Sequence, residues 1–272
     1  RVLSTAALMA MVSSIATAAF ADTYDLNKGS VDILAEDGKQ YITQWEDESK
    51  GTYVTDDKGE IKDREDADIT LTTKDETTGE TKTTSNTVTI DAKEDNTANV
   101  TLKDVNIEVD TSEAKTGAIE IKGDGDTNLE LNGDNTVLTT NSTAEEHAAI
   151  EKADAYGTGT LTIKDDVNDD GTAKTGTEAD TTGKLLAGGY HHSAAIGGGS
   201  DTYNREYSLA DTSNITITGG DITAVAGNDS AAAIGGGSDG TGKNIRIEGN
   251  AHVTALAKSG AGIGGGTGGG NS

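Results

Sequence analysis

One phrase of about thirty residues returns along this chain, and that return restricts what the chain can fold into. Asn214 to Ser238 reads N-I-T-I-T-G-G-D-I-T-A-V-A-G-N-D-S-A-A-A-I-G-G-G-S, and Asn244 opens N-I-R-I-E-G-N-A-H-V-T-A-L-A-K-S-G-A-G-I-G-G-G-T. Each copy holds two short runs alternating with period 2, a glycine break, and a small-residue run ending in Ile and Gly. Such alternation signals half-buried strands. Looser copies upstream align on Val100, Leu129 and Leu161, followed by Ile215 and Ile245, at spacings of 29, 32, 54 and 30. The long interval reflects an insert from Asp165 to about Gly183.

A second strand recurs at Ile107/Val109, Val137, Leu185/Ala187, Ile222/Ala224 and Val253/Ala255. A third element recurs at Ala118-Ile119, Ala149-Ile150, Ala195-Ile196, Ala233-Ile234 and Gly262-Ile263. Three apolar faces per unit, repeated, imply a three-sided coil whose neighbours pair in parallel about 4.8 Å apart. Gly219-Gly220 and Gly235-Gly236-Gly237 supply the corners, and Asn99, Asn128, Asn214 and Asn244 a ladder at one strand entry. The fold expected is an all-β parallel β-helix, a solenoid of about six coils. A β-sandwich would need hairpins and a larger core, and a leucine-rich horseshoe needs an L-x-x-L-x-L unit that is missing here. Disorder is a further alternative for the Thr/Asp/Gly-rich first half.

Residues 1–21 have the apolar run and Ala19-Phe20-Ala21 end of a clipped secretory signal peptide, which makes the chain secreted, with no membrane insertion after cleavage. Residues 22–62 read as an N-terminal cap, with Trp45, the only Trp, as its bulky cover. Residues 63–272 read as the repeats, and the glycine corner just before Ser272 implies further coils beyond it. The composition suits stacked aliphatics. There is no Cys and no Pro, and the one Phe and both Met fall before residue 22. A net charge of −26 argues against nucleic acid, which needs a basic footprint.

Three groups of residues are candidates for chemistry. Asp166, Asn168 and Asp170, in D-V-N-D-D-G, match the first half of a calcium loop, although position twelve is Thr177 and Glu178 comes one residue late. Calcium is therefore the candidate cofactor, against the alternative of a solvated acidic turn. Tyr190, His191, His192, Tyr203, Arg205 and Tyr207 gather around one corner, where flat rings suit the apolar faces of sugars. The competing role for them is to shield a loop. His147 and His252 stand alone, without metal-site spacing, and read as plain surface residues. No cluster of Asp with Arg suggests a polysaccharide lyase, so the chain is expected not to be an enzyme.

The runs A-D-T-Y-D-L-N-K-G-S-V-D-I, N-V-T-L-K-D-V-N-I, G-T-L-T-I-K-D-D, N-I-T-I-T-G-G-D-I-T-A and A-A-I-G-G-G-S resemble secreted clostridial-type β-helix repeat proteins labelled carbohydrate-binding domain-containing proteins. The resemblance covers most of residues 22–272. It implies a right-handed parallel β-helix at the cell surface or in the medium, and non-catalytic binding of a plant cell-wall type polysaccharide, in some cases with calcium. The alternative is a structural or adhesive stalk. A binder needs one outer face with a continuous platform. The outward residues Thr101, Glu130, Thr162, Thr216 and Arg246 suit a stalk, and the Tyr group suits a binder.

Overall fold

A computed structural model describes residues 22–141, 145–165, 183–201 and 209–268. Residues 1–21, Tyr203, Arg205, Tyr207 and the Asp166, Asn168 and Asp170 loop lie outside these residues. The chain is all-β, and most of its strands lie in three parallel sheets. It visits these sheets in turn.

The first sheet stacks Thr23–Asp25, Ile69–Thr72, Thr97–Lys103, Asp126–Asn132, Leu161–Asp165, Thr212–Ile217 and Gly242–Ile247. The second stacks Asn106–Asp110, Asp134–Thr140, Lys184–Gly188, Asp221–Val225 and His252–Leu256. The parallel part of the third runs from Ser30–Glu36 through Val88–Ala92, Ile119–Lys122, Ile150–Glu151, Ile196–Gly197 and Ile234–Gly235 to Ile263–Gly264.

Alternation sets the core. In Thr97–Lys103, Ala98, Val100 and Leu102 point inward and are buried while the residues between them are not. Pairing then places like on like. Ile119, Ile150, Ile196, Ile234 and Ile263 form one column. Ile107, Val137, Ala187, Ala224 and Ala255 form another. Each fully buried Ile or Leu contributes about 1.5–3 kcal/mol, so the core gains stability through many small, repeated burials. Two polar side chains sit in the second sheet's inner face, Asn135 and Thr139, the latter donating to the carbonyls of His147 and Gly188. Asn135, stacked under Leu185, is buried, but accepts from Val105 N and donates to the carbonyls of Asn132 and Lys184.

The first sheet departs from the repeat alignment at one step. Leu129 stacks on Ile163, not on Leu161, and Glu130 faces Lys164, not Thr162. The connection into this strand contains a one-turn 3-10 helix, Asp154–Tyr156, which takes up chain and advances the register by two. A two-residue shift keeps the inward face inward. It breaks the expected asparagine ladder into two pairs. Asn128 donates to Asn99 at 2.9 Å and Asn244 to Asn214 at 2.6 Å, while Asn214 itself reaches the Thr158 carbonyl at 2.7 Å.

At the N-terminus, Thr23–Asp25 and Ser30–Glu36 already belong to the parallel sheets, and Lys39–Asp47 then turns back antiparallel to Ser30–Glu36. Trp45 does not plug the core. Alternation along Lys39–Asp47 turns Gln40, Ile42 and Gln44 inward and Trp45 outward, where its ring meets Tyr53 at 4.7 Å and its N–H donates to Asp32. Tyr24, Leu26, Ile42, Val54 and Ile61 fill this end of the core instead.

The third sheet turns its corner through glycine. Gly197, Gly235 and Gly264 stack with φ of +132°, +135° and +131°, and a Cβ on Gly235 would lie 1.9 Å from the Gly264 carbonyl oxygen. Gly235→Ala is therefore expected to destabilise by about 2–4 kcal/mol, combining strained backbone with a clash that only chain displacement relieves. Gly38→Ala, with φ +73° and open space around it, should cost about 1 kcal/mol or less. Urea denaturation of both variants checks the contrast.

Candidate functional site

Glu146 and His192, each four places before a stacked isoleucine of the third sheet, face one another across one circuit. Glu146 precedes Ile150 in this way and His192 precedes Ile196, and Ile150 pairs with Ile196. The register therefore lays His192 directly against Glu146, 46 residues away, and its backbone N–H donates to Glu146 Oε2 at 3.0 Å. His191 Nδ1 lies 2.7 Å from Glu146 Oε1, and His192 Nδ1 lies 3.0 Å from Oε2. Each carboxylate oxygen thus faces one imidazole. Glu146 is buried, whereas the His191 and His192 side chains are 43% and 25% exposed, so solvent reaches the group from the histidine side.

The histidine turn is held from both sides. Asp229 N donates to the His191 carbonyl at 3.1 Å and Ser238 N to the His192 carbonyl at 2.9 Å. Ser193 closes it by accepting from Tyr190 N and donating to Tyr190 O. His191 adopts φ +54°, a conformation costly for a non-glycine residue that persists where surrounding contacts impose it. Tyr190 stands exposed beside this turn, its ring 6.0 Å from that of His191.

A second cluster lies immediately behind. Glu120 and Glu151 are register partners, and His147 Nδ1 is 3.1 Å from both Glu151 oxygens. Ala148 N donates to Glu151 Oε2 at 2.8 Å. All three side chains are buried. Burial pushes the Glu151 carboxyl above its usual range, opposed by the hydrogen bond from His147. Lys122 pairs with Glu120 at 2.6 Å and lies over the Tyr156 ring. Burial, with the nearby charges of Glu151 and Glu120, drives the Tyr156 hydroxyl far upward. This cluster is sealed from solvent. The expectation that His147 is a surface residue is overturned: it is buried, its ring against Glu151 and its carbonyl accepting from Thr139 of the second sheet.

Of the expected sugar-contact group, the described residues Tyr190, His191 and His192 do meet at one corner. Tyr190 faces solvent, while His191 and His192 turn toward Glu146. The signal for Glu146 was present in the repeat alignment itself, because the Ala-Ile anchor fixes which residue stacks on which. A spacing search along the chain does not see it. A separate groove of about 230 Å³ is lined by Lys74, Asp75, Glu76, Lys103 and Asp104, with Lys74 paired to Asp104 at 2.7 Å.

Comparison with known proteins gives no match to any family, to any curated protein or to any solved structure.

Behind the site, Lys152 is 2% exposed, and its ammonium donates only a 3.3 Å hydrogen bond to Gly157 O, with Asp154 at 3.9 Å. Burial holds its pKa below the usual 10.5. The folded state thus binds fewer protons than the unfolded chain, and stability from this group rises as pH climbs toward 10.5. Lys152→Met should stabilise the protein by ~1 kcal/mol at pH 7, by replacing a desolvated charge with an apolar chain of similar length. The gain should shrink toward pH 10.5. Chemical denaturation at pH 7 and pH 10 tests both points.

Proposed function

We propose that this chain is a secreted right-handed parallel β-helix that binds a neutral polysaccharide of the plant cell-wall type without catalysis. The carrying observation is the outer face of the second sheet. Leu138, Gly188, Val225 and Leu256 are register partners in one outward row, with Leu186 beside it. Leu186, Val225 and Leu256 are exposed. The Leu138 side chain lies where a Cβ on Gly188 would be, 2.8 Å away, so the row stays flat. Three steps of ~4.8 Å make it about 14 Å long.

Exposed apolar residues in a contiguous row on a soluble chain mark a contact surface. Tyr190 continues this one at the corner just beyond Gly188, with Gly189 N bonded to Val225 O. The apolar faces of sugar rings suit such a strip, and a net charge of −26 favours a neutral polymer over an anionic one. The resemblance to carbohydrate-binding β-helix proteins and the signal-like residues 1–21 agree with secretion and with a glycan partner. Calcium at Asp166, Asn168 and Asp170 remains part of the proposal. Nucleic acid does not fit the charge.

A stalk is the second reading, favoured by the first sheet's exterior. Its outward rows run Asn99, Asn128, Thr162, Thr216, Arg246 and Thr101, Glu130, Lys164, with Lys164 paired to Glu130 at 2.8 Å and no ring among them. A lyase has no comparable support. Arg64 is clamped by Asp56, and Arg246 stands on a strand exterior beside Glu248.

The test is retention of the chain on insoluble and gel-embedded neutral plant polysaccharides, with calcium and with chelator. Retention on one polymer, weakened about 10-fold in Tyr190→Ala/Val225→Ser (~1.4 kcal/mol of lost apolar contact), is the expected result. Retention unchanged in the double variant would place the contact elsewhere. No retention on any polymer would leave the stalk.

A further inference from the structure

We infer that Glu146, His191 and His192 form a binding site for a divalent transition-metal ion of the zinc class, with one coordination position left open to solvent. The inference stands apart from the glycan reading. One ligand atom from each residue lies within 4.8 Å of the others. Two imidazole nitrogens and a carboxylate make a mixed N/O set, which suits zinc, nickel, copper or cobalt and not calcium, a cation that takes six to eight oxygens.

The distances fit a site closed by hydrogen bonding. Around a tetrahedral ion with ~2.0–2.2 Å bonds, neighbouring ligand atoms stand ~3.3–3.6 Å apart. Here the two nitrogen–oxygen separations are 2.7 Å and 3.0 Å. Opening by about 0.3–0.9 Å admits the ion, and two part-exposed imidazoles can move that far.

His192 Nδ1 supplies the independent observation. This atom is shielded from solvent and lies 3.0 Å from Glu146 Oε2, yet among the described residues it has no hydrogen-bond partner. A buried imidazole nitrogen without a hydrogen bond is costly. A metal ion at the focus of the three side chains would satisfy it. The surroundings also resemble those of a built site: Glu146 is fixed by the His192 N–H, and the histidine turn is held in a left-handed conformation by Asp229 N and Ser238 N. Second contacts of this kind orient metal ligands. Three protein ligands leave a fourth position for water or an incoming oxygen ligand. The chain's −26 charge raises the local concentration of cations around it.

The experiment uses the whole chain without a histidine tag, stripped with chelator and titrated with Zn²⁺ by calorimetry and with Co²⁺ by visible absorption. His191→Ala, His192→Ala and His252→Ala run beside it, with circular dichroism to show that each folds. The expected result is one equivalent of Zn²⁺ and a Co²⁺ spectrum with ligand-field bands of a low-coordinate N/O site. Affinity should fall by ~100-fold or more in either of the first two variants, beyond the 10–100-fold that loss of an outer contact costs. It should be unchanged in His252→Ala, and excess Ca²⁺ should not compete. Absence of saturable binding would overturn the inference, as would equal binding by His191→Ala and His192→Ala. Should those variants not fold, the Co²⁺ spectrum of the unmodified chain decides, since a purely aqueous octahedral spectrum contradicts the site.

Discussion

Parallel ladder hydrogen bonding between successive circuits is the constraint from which the rest of this structure follows. Each strand's backbone must find its partners on the strand one circuit before and one circuit after. Once Ile150 pairs with Ile196, every residue nearby has an assigned neighbour. The isoleucine and alanine columns satisfy that requirement inside. Outside, the same rule brings Glu146 to His192, aligns the two glutamates of the buried cluster, and lines Val225 up with Leu256. The candidate sites result from stacking, with no loop designed separately to create them.

Stacking also fixes where small residues are obligatory. The column that holds Glu120 and Glu151 continues as Gly197, Gly235 and Gly264. The column opens with Asp32 and Thr89, and in the next two circuits its side chains are the carboxylates of Glu120 and Glu151, buried with His147. In the later ones the backbones approach so closely that no side chain fits. The buried Glu151 carboxyl is held by hydrogen bonds from the His147 ring and Ala148 N, whereas Lys152 has little such support.

Much of the architecture was legible because stacked columns leave period-2 alternation and a thirty-residue return in the chain. The third-sheet column could be read residue by residue. The first sheet could be read except at Leu161, where the chain taken up by Asp154–Tyr156 changes the partner, and no local pattern counts that length. Trp45 misled because its size suggests a plug, while alternation along Lys39–Asp47 turns it outward. At the candidate site, Tyr190 and His192 were visible as a cluster in one stretch. Glu146 was not, since its meeting with them depends on pairing across 46 residues. His147 was misread for the same reason: exposure depends on what the neighbouring circuit lays over it.

The central claim is thus the vertical register, and the absence of native cysteine makes it open to direct cross-linking. Register partners in adjacent parallel strands stand ~4.8 Å apart, within disulfide range. Two double variants decide the matter on the exposed side of the first sheet: Glu130→Cys with Lys164→Cys, and Glu130→Cys with Thr162→Cys. Under mild oxidation, the account predicts rapid intramolecular disulfide formation by the first pair and little by the second, read as the loss of free thiol in the monomer. Preferential closure of the second pair would show that the repeats stack as the bare alignment places them. Closure of neither would contradict the stacked sheets.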